Sequence, residues 1–311
     1  MIMNYYEMSA DKTTIEATDT CCASCGITEL DDVELKPCDD CDLVKYCSGK
    51  CKEDHLPQHE AKCKERAAEL RDELLFRQPE SSHLGDCPIC CLPLPIDPRK
   101  SVSNTCCSKS ICRGCSYAND LRQKRENIQV QTCPFCRHPV PHTMEEVKKN
   151  VMKRIEVNDP VALSQMGNAH WTEGDYEGAF KYYTKSAELG DAGAHYDLAI
   201  MYRDGQSVEK DEKKELYHLK EAAMAGHPHA RFNLASKEGR NGRIERAVKH
   251  FIIAANLGLD DAMKFLKEYY KRGYIEKDDF AAALRAHHAA VKATKSPQRD
   301  VALRAYAARE M

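Results

Sequence analysis

Read as a pattern of apolar and polar positions, the chain divides near Met144. Beyond that point apolar residues keep returning at helical spacing. Before it the pattern is short and broken, except over residues 60–78. There Ala67, Leu70, Leu74 and Leu75 mark one face of a helix among good helix formers. Pro79-Glu80-Ser81-Ser82 ends it. The helical half repeats itself. DAGAHYDLA (191–199), HPHARFNLA (227–235) and LDDAMKFLK (259–267) are equivalent, as are SAELG (186–190), AAMAG (222–226) and AANLG (254–258). Ala162, Ala194, Ala230 and Ala262 are 32, 36 and 32 residues apart. Such a period predicts a stacked repeat array. Each unit reads as two helices. In the second unit, Ala194, Leu198, Met201 and Tyr202 line one helix, and Leu216, Leu219 and Ala223 the other. Gly205 lies in the turn, and Gly226 ends the pair as a left-handed cap. A fourth unit, 262–295, is weaker, with Ala293 where glycine is expected. Residues 296–311 carry Val301, Leu303 and Ala307 at helical spacing and are expected to form a cap or tail.

The pattern Ala-x3-Leu-[Gly/Ala]-x2-Tyr-x2-Gly, followed by Ala-Ala-x2-Gly, resembles Sel-one-like repeats, relatives of tetratricopeptide repeats. The resemblance covers 159–295, behind a connecting helix at 143–158. It is strongest at Leu198, Tyr202, Gly205, Val208, Asp211, Ala222, Ala223 and Gly226. It implies an all-α solenoid that binds a protein partner. Trp171, Tyr176 and Tyr202 read as packing residues of that array.

Composition changes the picture of the other half. All 17 cysteines lie between Cys21 and Cys136. Clustered cysteines mean disulfides or metal, and disulfides belong to oxidising compartments. Residues 1–20 have no basic segment followed by an apolar one, and read as a disordered lead. The longest apolar runs are of five residues, as at 251–255, so no membrane span is expected. An intracellular chain, cytoplasmic or nuclear, is the expectation, and there dense cysteines point to zinc. Charge is uneven. Residues 1–86 carry 10 Lys and Arg against 20 Asp and Glu, 87–150 carry 10 against 5, and 151–311 carry 26 against 24. No segment is basic enough for nucleic acid, and the first argues against it.

The first cluster runs Cys22, Cys25, Cys38, Cys41, Cys47, Cys51, His59 and Cys63. A Cys-x2-Cys pair lets two thiolates reach one ion from a tight knuckle. The pairs Cys47/Cys51 and His59/Cys63 put two ligands on one helical face. Eight ligands make two closed, structural tetrahedral sites. This spacing resembles the MYND zinc finger over 21–63, and Tyr46, Ser48 and Pro57 agree with it. The resemblance implies interleaved sites, Cys22, Cys25, Cys47 and Cys51 on one ion and Cys38, Cys41, His59 and Cys63 on the other. Cys21 and His55 are then spare, and read as solvent-facing neighbours. MYND fingers bind proteins, often proline-containing peptides. The Gln and Trp of peptide-binding members are Lys52 and Leu56 here, which puts that specificity in doubt.

In the second cluster, Cys87-x2-Cys90 and Cys133-x2-Cys136 bracket Cys106, Cys107, Cys112 and Cys115. It resembles a RING finger over 86–142, after a helical linker at 64–85. Lys109 stands where the usual His ligand would be, so Cys106 and Cys107 are both taken as ligands, with Cys91 a competitor for one place. The resemblance implies that Cys87, Cys90, Cys112 and Cys115 share one ion and Cys106, Cys107, Cys133 and Cys136 the other. Four zinc ions per chain are expected. RING fingers that act as ubiquitin ligases hold a loaded conjugating enzyme in a reactive pose. By resemblance the contacts here are Ile89, Pro134 and Arg137; no residue is expected to be catalytic in itself.

The expected architecture is multidomain: two small zinc-stapled cross-brace modules, MYND and RING-like, followed by an all-α helical-repeat solenoid. Two functions fit. One is a zinc-binding protein–protein interaction adaptor whose RING-type finger recruits a ubiquitin-conjugating enzyme. The other is an active RING-type ubiquitin ligase, with the repeats or the MYND finger selecting substrate. A nuclear corepressor-like adaptor is a third, weaker reading. No SET sequence surrounds the MYND finger, which disfavours a methyltransferase.

Overall fold

The protein is described here as a computed structural model covering residues 21–28 and 33–308. The expected lead at 1–20 lies outside the described residues. These fall into two compact units, one up to Leu75 and the other from Phe76 onward.

The first unit has little apolar material. Strands β1 (Lys36–Pro37) and β2 (Lys45–Tyr46) pair antiparallel, and helix α1 (Gly49–Phe76) follows. The helix begins inside the first cysteine cluster, well before the residue 60 read from apolar spacing. Its first turns are mostly polar and carry Pro57, so periodicity did not reveal them. They form because His59 and Cys63, four residues apart, must put their ligands on one helical face. The buried apolar cluster is Cys22, Leu35, Cys38, Cys41, Tyr46 and Cys63. Two ordinary apolar side chains are too few to hold a fold of this size without staples.

The second unit begins with the second cysteine cluster. A hairpin of β3 (Ser101–Asn104) and β4 (Lys109–Cys112) leads directly into α2 (Arg113–Arg125). The apolar cluster here is again thin: Leu94 and Ile111 with Cys87, Cys112 and Cys115. Helix α3 (Met144–Ile155) starts at Thr143, whose hydroxyl accepts from the Glu146 amide while Glu146 accepts from the His142 amide.

Eight helices then form antiparallel pairs: α4 (Pro160–Thr172) with α5 (Tyr176–Glu188), α6 (Ala192–Asp204) with α7 (Glu212–Met224), α8 (Pro228–Arg240) with α9 (Ile244–Asn256), and α10 (Asp260–Lys271) with α11 (Lys277–Ala293). Asp159, Asp191 and His227 cap the first helix of three successive pairs. The repeated alanines Ala162, Ala194, Ala230 and Ala262 are all fully buried, because the paired helices close to where only a methyl fits. Gly226 has the left-handed backbone expected of it, at φ 82°. The array core gathers Phe251, Leu259, Leu266 and Ile275 around alanines. Trp171 and Tyr176 meet edge to face at 4.9 Å and pack against a neighbouring cluster of this core.

Two segments outside the repeats lie against other parts of this unit. The stretch after Phe76 runs over the array. The Phe76 ring packs on His250 at 4.5 Å, the His83 amide donates to the Gly226 carbonyl at 3.1 Å, and the His83 ring stacks on His227 at 4.2 Å. Helix α12 (Pro297–Ala307), the expected cap or tail, packs along α2 of the second cysteine cluster. No helix among the described residues is long and apolar enough to cross a membrane.

Candidate metal centres

Four of the five Cys-x2-Cys segments form the same turn; the other, Cys112 and Cys115, instead opens helix α2. The fifth residue donates its amide to the carbonyl of the first cysteine: Gly26 to Cys22 at 2.9 Å, Asp42 to Cys38 at 3.3 Å, Cys91 to Cys87 at 2.9 Å and Arg137 to Cys133 at 2.9 Å. All four fifth residues have positive φ, between 53° and 77°. That conformation suits Gly26, and the other three accept it with a Cβ. Backbone pairing closes each turn at its base, through Cys21 and Thr28, Pro37 and Lys45, Asp86 and Pro93, and Thr132 and Pro139. The knuckle is therefore a backbone device, and it presents two sulfurs on one side.

The structure gathers the sequence-predicted residues into four sets: Cys22, Cys25, Cys47 and Cys51; Cys38, Cys41, His59 and Cys63; Cys87, Cys90, Cys112 and Cys115; and Cys106, Cys107, Cys133 and Cys136. In each set the ligand atoms lie within 4.8 Å of one another. Thiolates tetrahedral about zinc at a bond length of about 2.3 Å stand about 3.8 Å apart. Cys38 and Cys63 are 3.8 Å apart, Cys90 and Cys112 3.8 Å, Cys47 and Cys51 3.6 Å, Cys25 and Cys47 3.5 Å, Cys107 and Cys133 4.0 Å, and Cys106 and Cys136 3.3 Å. His59 Nε2 lies 3.1 Å from Cys41 Sγ. The donor sets fit zinc in number, kind and spacing. No disulfide links any described cysteine.

The electrostatics of the sets also call for a cation. Burial pushes the Cys22 thiol up, but amides of Cys25, Cys47 and Ser24 more than offset this and bring it to about 6. In the same set, the sulfurs of Cys25 and Cys51 push Cys47 up to about 12. Four sulfurs at this spacing cannot all be anionic without a positive ion among them. Burial, with His55 beside it, pushes His59 below its usual range, toward the neutral ring that ligates metal.

The other residues singled out in the sequence have definite places. Cys106 and Cys107 sit in the turn between β3 and β4, and Lys109 opens β4 with its side chain exposed. Cys91 is exposed at a knuckle's fifth position and belongs to none of the four sets. His55 does more than face solvent: its Nδ1 lies 3.0 Å from the Tyr46 hydroxyl, and its ring stacks on His59 at 5.7 Å. Lys52, where peptide-binding MYND fingers have Gln, is held by Asp39 of the second knuckle at 2.6 Å. Ile89 is 42% exposed between Cys87 and Cys90; Pro134 is half-buried, and Arg137 is exposed. Sequence reasoning missed Arg299 and Gln298 of α12, which approach the third set from far along the chain. No sequence signal marks them, since an arginine and a glutamine in a polar helix look solvated.

Comparison with known proteins agrees with two parts of this description. Residues 22–63 match the MYND finger, and residues 162–191, 192–227 and 228–259 each match the Sel1 repeat. The chain thus carries a zinc-binding MYND finger followed by an all-helical Sel1 repeat region, a combination consistent with a protein-interaction adaptor. Over 119 residues it is 34% identical to an uncharacterized protein of Neisseria meningitidis serogroup B, an overlap of 38% of this chain and 25% of that protein. A crystal structure of a Sel1 repeat protein from Oxalobacter formigenes is similar over 50% of this chain and 66% of its own, at 31% identity and TM-score 0.42. A protective antigen of uropathogenic Escherichia coli with an SLR fold is similar over 48% and 34%, at 22% identity and TM-score 0.41. The chain spans only a quarter of the curated relative and less than two thirds of either solved structure.

Proposed function

We propose that this chain is an intracellular zinc-binding adaptor, cytoplasmic or nuclear, whose two cysteine modules and helical array each engage proteins. In this reading Cys22, Cys25, Cys47 and Cys51 hold one ion, and Cys38, Cys41, His59 and Cys63 a second. Cys87, Cys90, Cys112 and Cys115 hold a third, and Cys106, Cys107, Cys133 and Cys136 a fourth, in a RING-type module over 86–142. The observation that carries it is the four closed four-ligand sets. A set with all four places taken by protein leaves none for water or substrate, so the metal is structural. Native mass spectrometry of the full chain tests this. Four zinc ions are expected, and two or three would refute the ligand assignment.

A second reading, a RING-type ubiquitin ligase, draws support from the exposure of Ile89 and Arg137 on two of the knuckles. An exposed apolar side chain on one knuckle and an exposed guanidinium after another suit a conjugating enzyme and its bound ubiquitin. The zinc-loaded protein would be incubated with a panel of ubiquitin-charged conjugating enzymes and free lysine. Accelerated discharge is expected, and Arg137→Ala should reduce it; no acceleration with any enzyme leaves the adaptor reading alone.

A further inference from the structure

Helix α12 meets the second cysteine cluster through two consecutive side chains. Arg299 is only 5% exposed. Its Nη1 donates to the carbonyls of Pro93 and Thr294, both at 2.7 Å. Its Nη2 donates to the Leu92 carbonyl at 3.1 Å and lies 3.3 Å from Cys90 Sγ. Gln298 Nε2 donates to the Gly114 carbonyl at 3.1 Å and lies 3.9 Å from Cys115 Sγ. The backbones nearly touch there. A Cβ on Gly114 would stand 2.9 Å from Arg299 Cγ and 3.0 Å from its N and Cα. At the far end of the helix, the Arg113 guanidinium lies over the Tyr306 ring at 4.6 Å.

A guanidinium stays charged in a protein. Burying one is costly unless an opposite charge faces it. Of the four groups that face the Arg299 Nη atoms, three are carbonyls, which accept from them but carry no charge. The fourth is the sulfur of Cys90. Four thiolates around one Zn²⁺ carry two surplus negative charges. The set Cys87, Cys90, Cys112 and Cys115 therefore offers the counter-charge that the carbonyls do not.

We propose that Arg299, with Gln298 beside it, is a positioning residue for the metal held by Cys87, Cys90, Cys112 and Cys115, which makes the C-terminal helix a working part of the second zinc module. This rests on the reading of that set as a zinc site. Hydrogen bonds from outside the ligand shell orient ligands and offset their charge, and removing them costs roughly 10–100-fold in metal affinity. The dependence runs both ways: metal at the set holds α12 down, and α12 holds the metal.

The test uses the full chain. Zinc is counted by native mass spectrometry, and affinities are read by competition with a chromogenic chelator. Arg299→Ala should weaken one of four ions roughly 10–100-fold. Arg299→Lys, which keeps the charge but not the fork, should fall between, and Gln298→Ala should show a smaller loss. Val301→Ala, at an exposed position of the same helix, should match the parent. In cobalt-loaded protein, Arg299→Ala should shift the sulfur-to-metal charge-transfer band, and Val301→Ala should not. Four ions held at parental affinity in Arg299→Ala would overturn the proposal. If that variant does not fold, parental affinity in Arg299→Lys would overturn it equally. A parent with fewer than four ions, and a count unchanged by Cys87→Ser, would remove the zinc reading itself and this inference with it.

Discussion

The cysteine modules and the helical array reach a fold by opposite means. In the first module the ordinary buried apolar side chains are Leu35 and Tyr46, and in the second Leu94 and Ile111; cysteines make up the rest of each cluster. The array instead buries Phe251, Leu259, Leu266, Ile275 and a series of alanines. One kind of region has its geometry fixed by backbone knuckles and needs ligand chemistry to stay compact. The other is held by repeated small residues that let helices close on each other. The difference teaches where each is fragile: at the metal in one, at core volume in the other.

The largest expected effect separates them directly. Structural zinc contributes about 10–16 kcal/mol of apparent binding free energy in small finger peptides, against about 3–6 kcal/mol from the two ordinary apolar side chains of each module. Chelation of the full chain should abolish amide-exchange protection in 22–47 and 87–136 and leave α4 to α9 protected. Retained protection around the knuckles after metal loss would break the comparison.

A core truncation should do the reverse. Phe251 is fully buried and packs against Phe232 and Phe265, at 5.4 and 5.1 Å between ring centroids. Phe251→Ala should cost about 3–5 kcal/mol. It should lower the helical melting transition and leave the number of bound metal ions unchanged. A metal ion lost along with the helical transition would show that the two kinds of region fold as one.

A subtler pair of variants isolates the segment that lies over the array. Gly190 and Gly226 close equivalent helix pairs with φ 87° and 82°. A Cβ at Gly190 meets nothing within 4 Å, whereas at Gly226 it would stand 2.7 Å from the Ser81 carbonyl. Gly190→Ala should cost about 1 kcal/mol, the strain of left-handed backbone alone. Gly226→Ala should cost about 2 kcal/mol or more, since the clash adds to the strain. Equal losses in urea unfolding would mean that residues 79–83 leave the array easily.

Much of this architecture was legible in the chain. The four sets draw on residues that the cysteine spacing had picked out, because a knuckle is a local device and its two sulfurs are three residues apart. The repeats showed through their alanines and glycines for the same reason: buried small residues and left-handed caps leave a sequence period. The start of α1 at Gly49 was hidden, since its first turns are polar and serve ligand placement. Long-range contacts were hidden too. Nothing near Arg299 distinguishes it from Arg304 or Arg285, yet its partners lie near residue 90. Nor could the period tell that His83 would stack on a repeat's capping histidine, because stacking leaves no pattern.

That stack makes the acid response of the array testable. Burial pushes His83 down to about 4, and burial with His83 and His229 nearby pushes His227 down to about 2. Both lie below the unfolded value of about 6.5. Their stabilisation is therefore present above pH 6.5 and lost as pH falls below it. Asp197 runs the other way. Burial, with Asp191 nearby, raises it to about 7, well above the unfolded value of about 3.9. Its contribution is present in acid and lost as pH rises through 7. Between pH 7.5 and 5.5 the two histidines should cost about 3 kcal/mol and Asp197 return about 2. Asp197→Asn should thus lose about 2 kcal/mol more than the parent over this range, read as urea midpoints at fixed zinc. Comparing the two proteins cancels the pH dependence of the metal sites, which they share. If the two midpoints fall in parallel, Asp197 is already ionised in the folded array. The loss near pH 6 would then belong to the histidines that burial depresses, His218, His195 and His229 with the stacked pair.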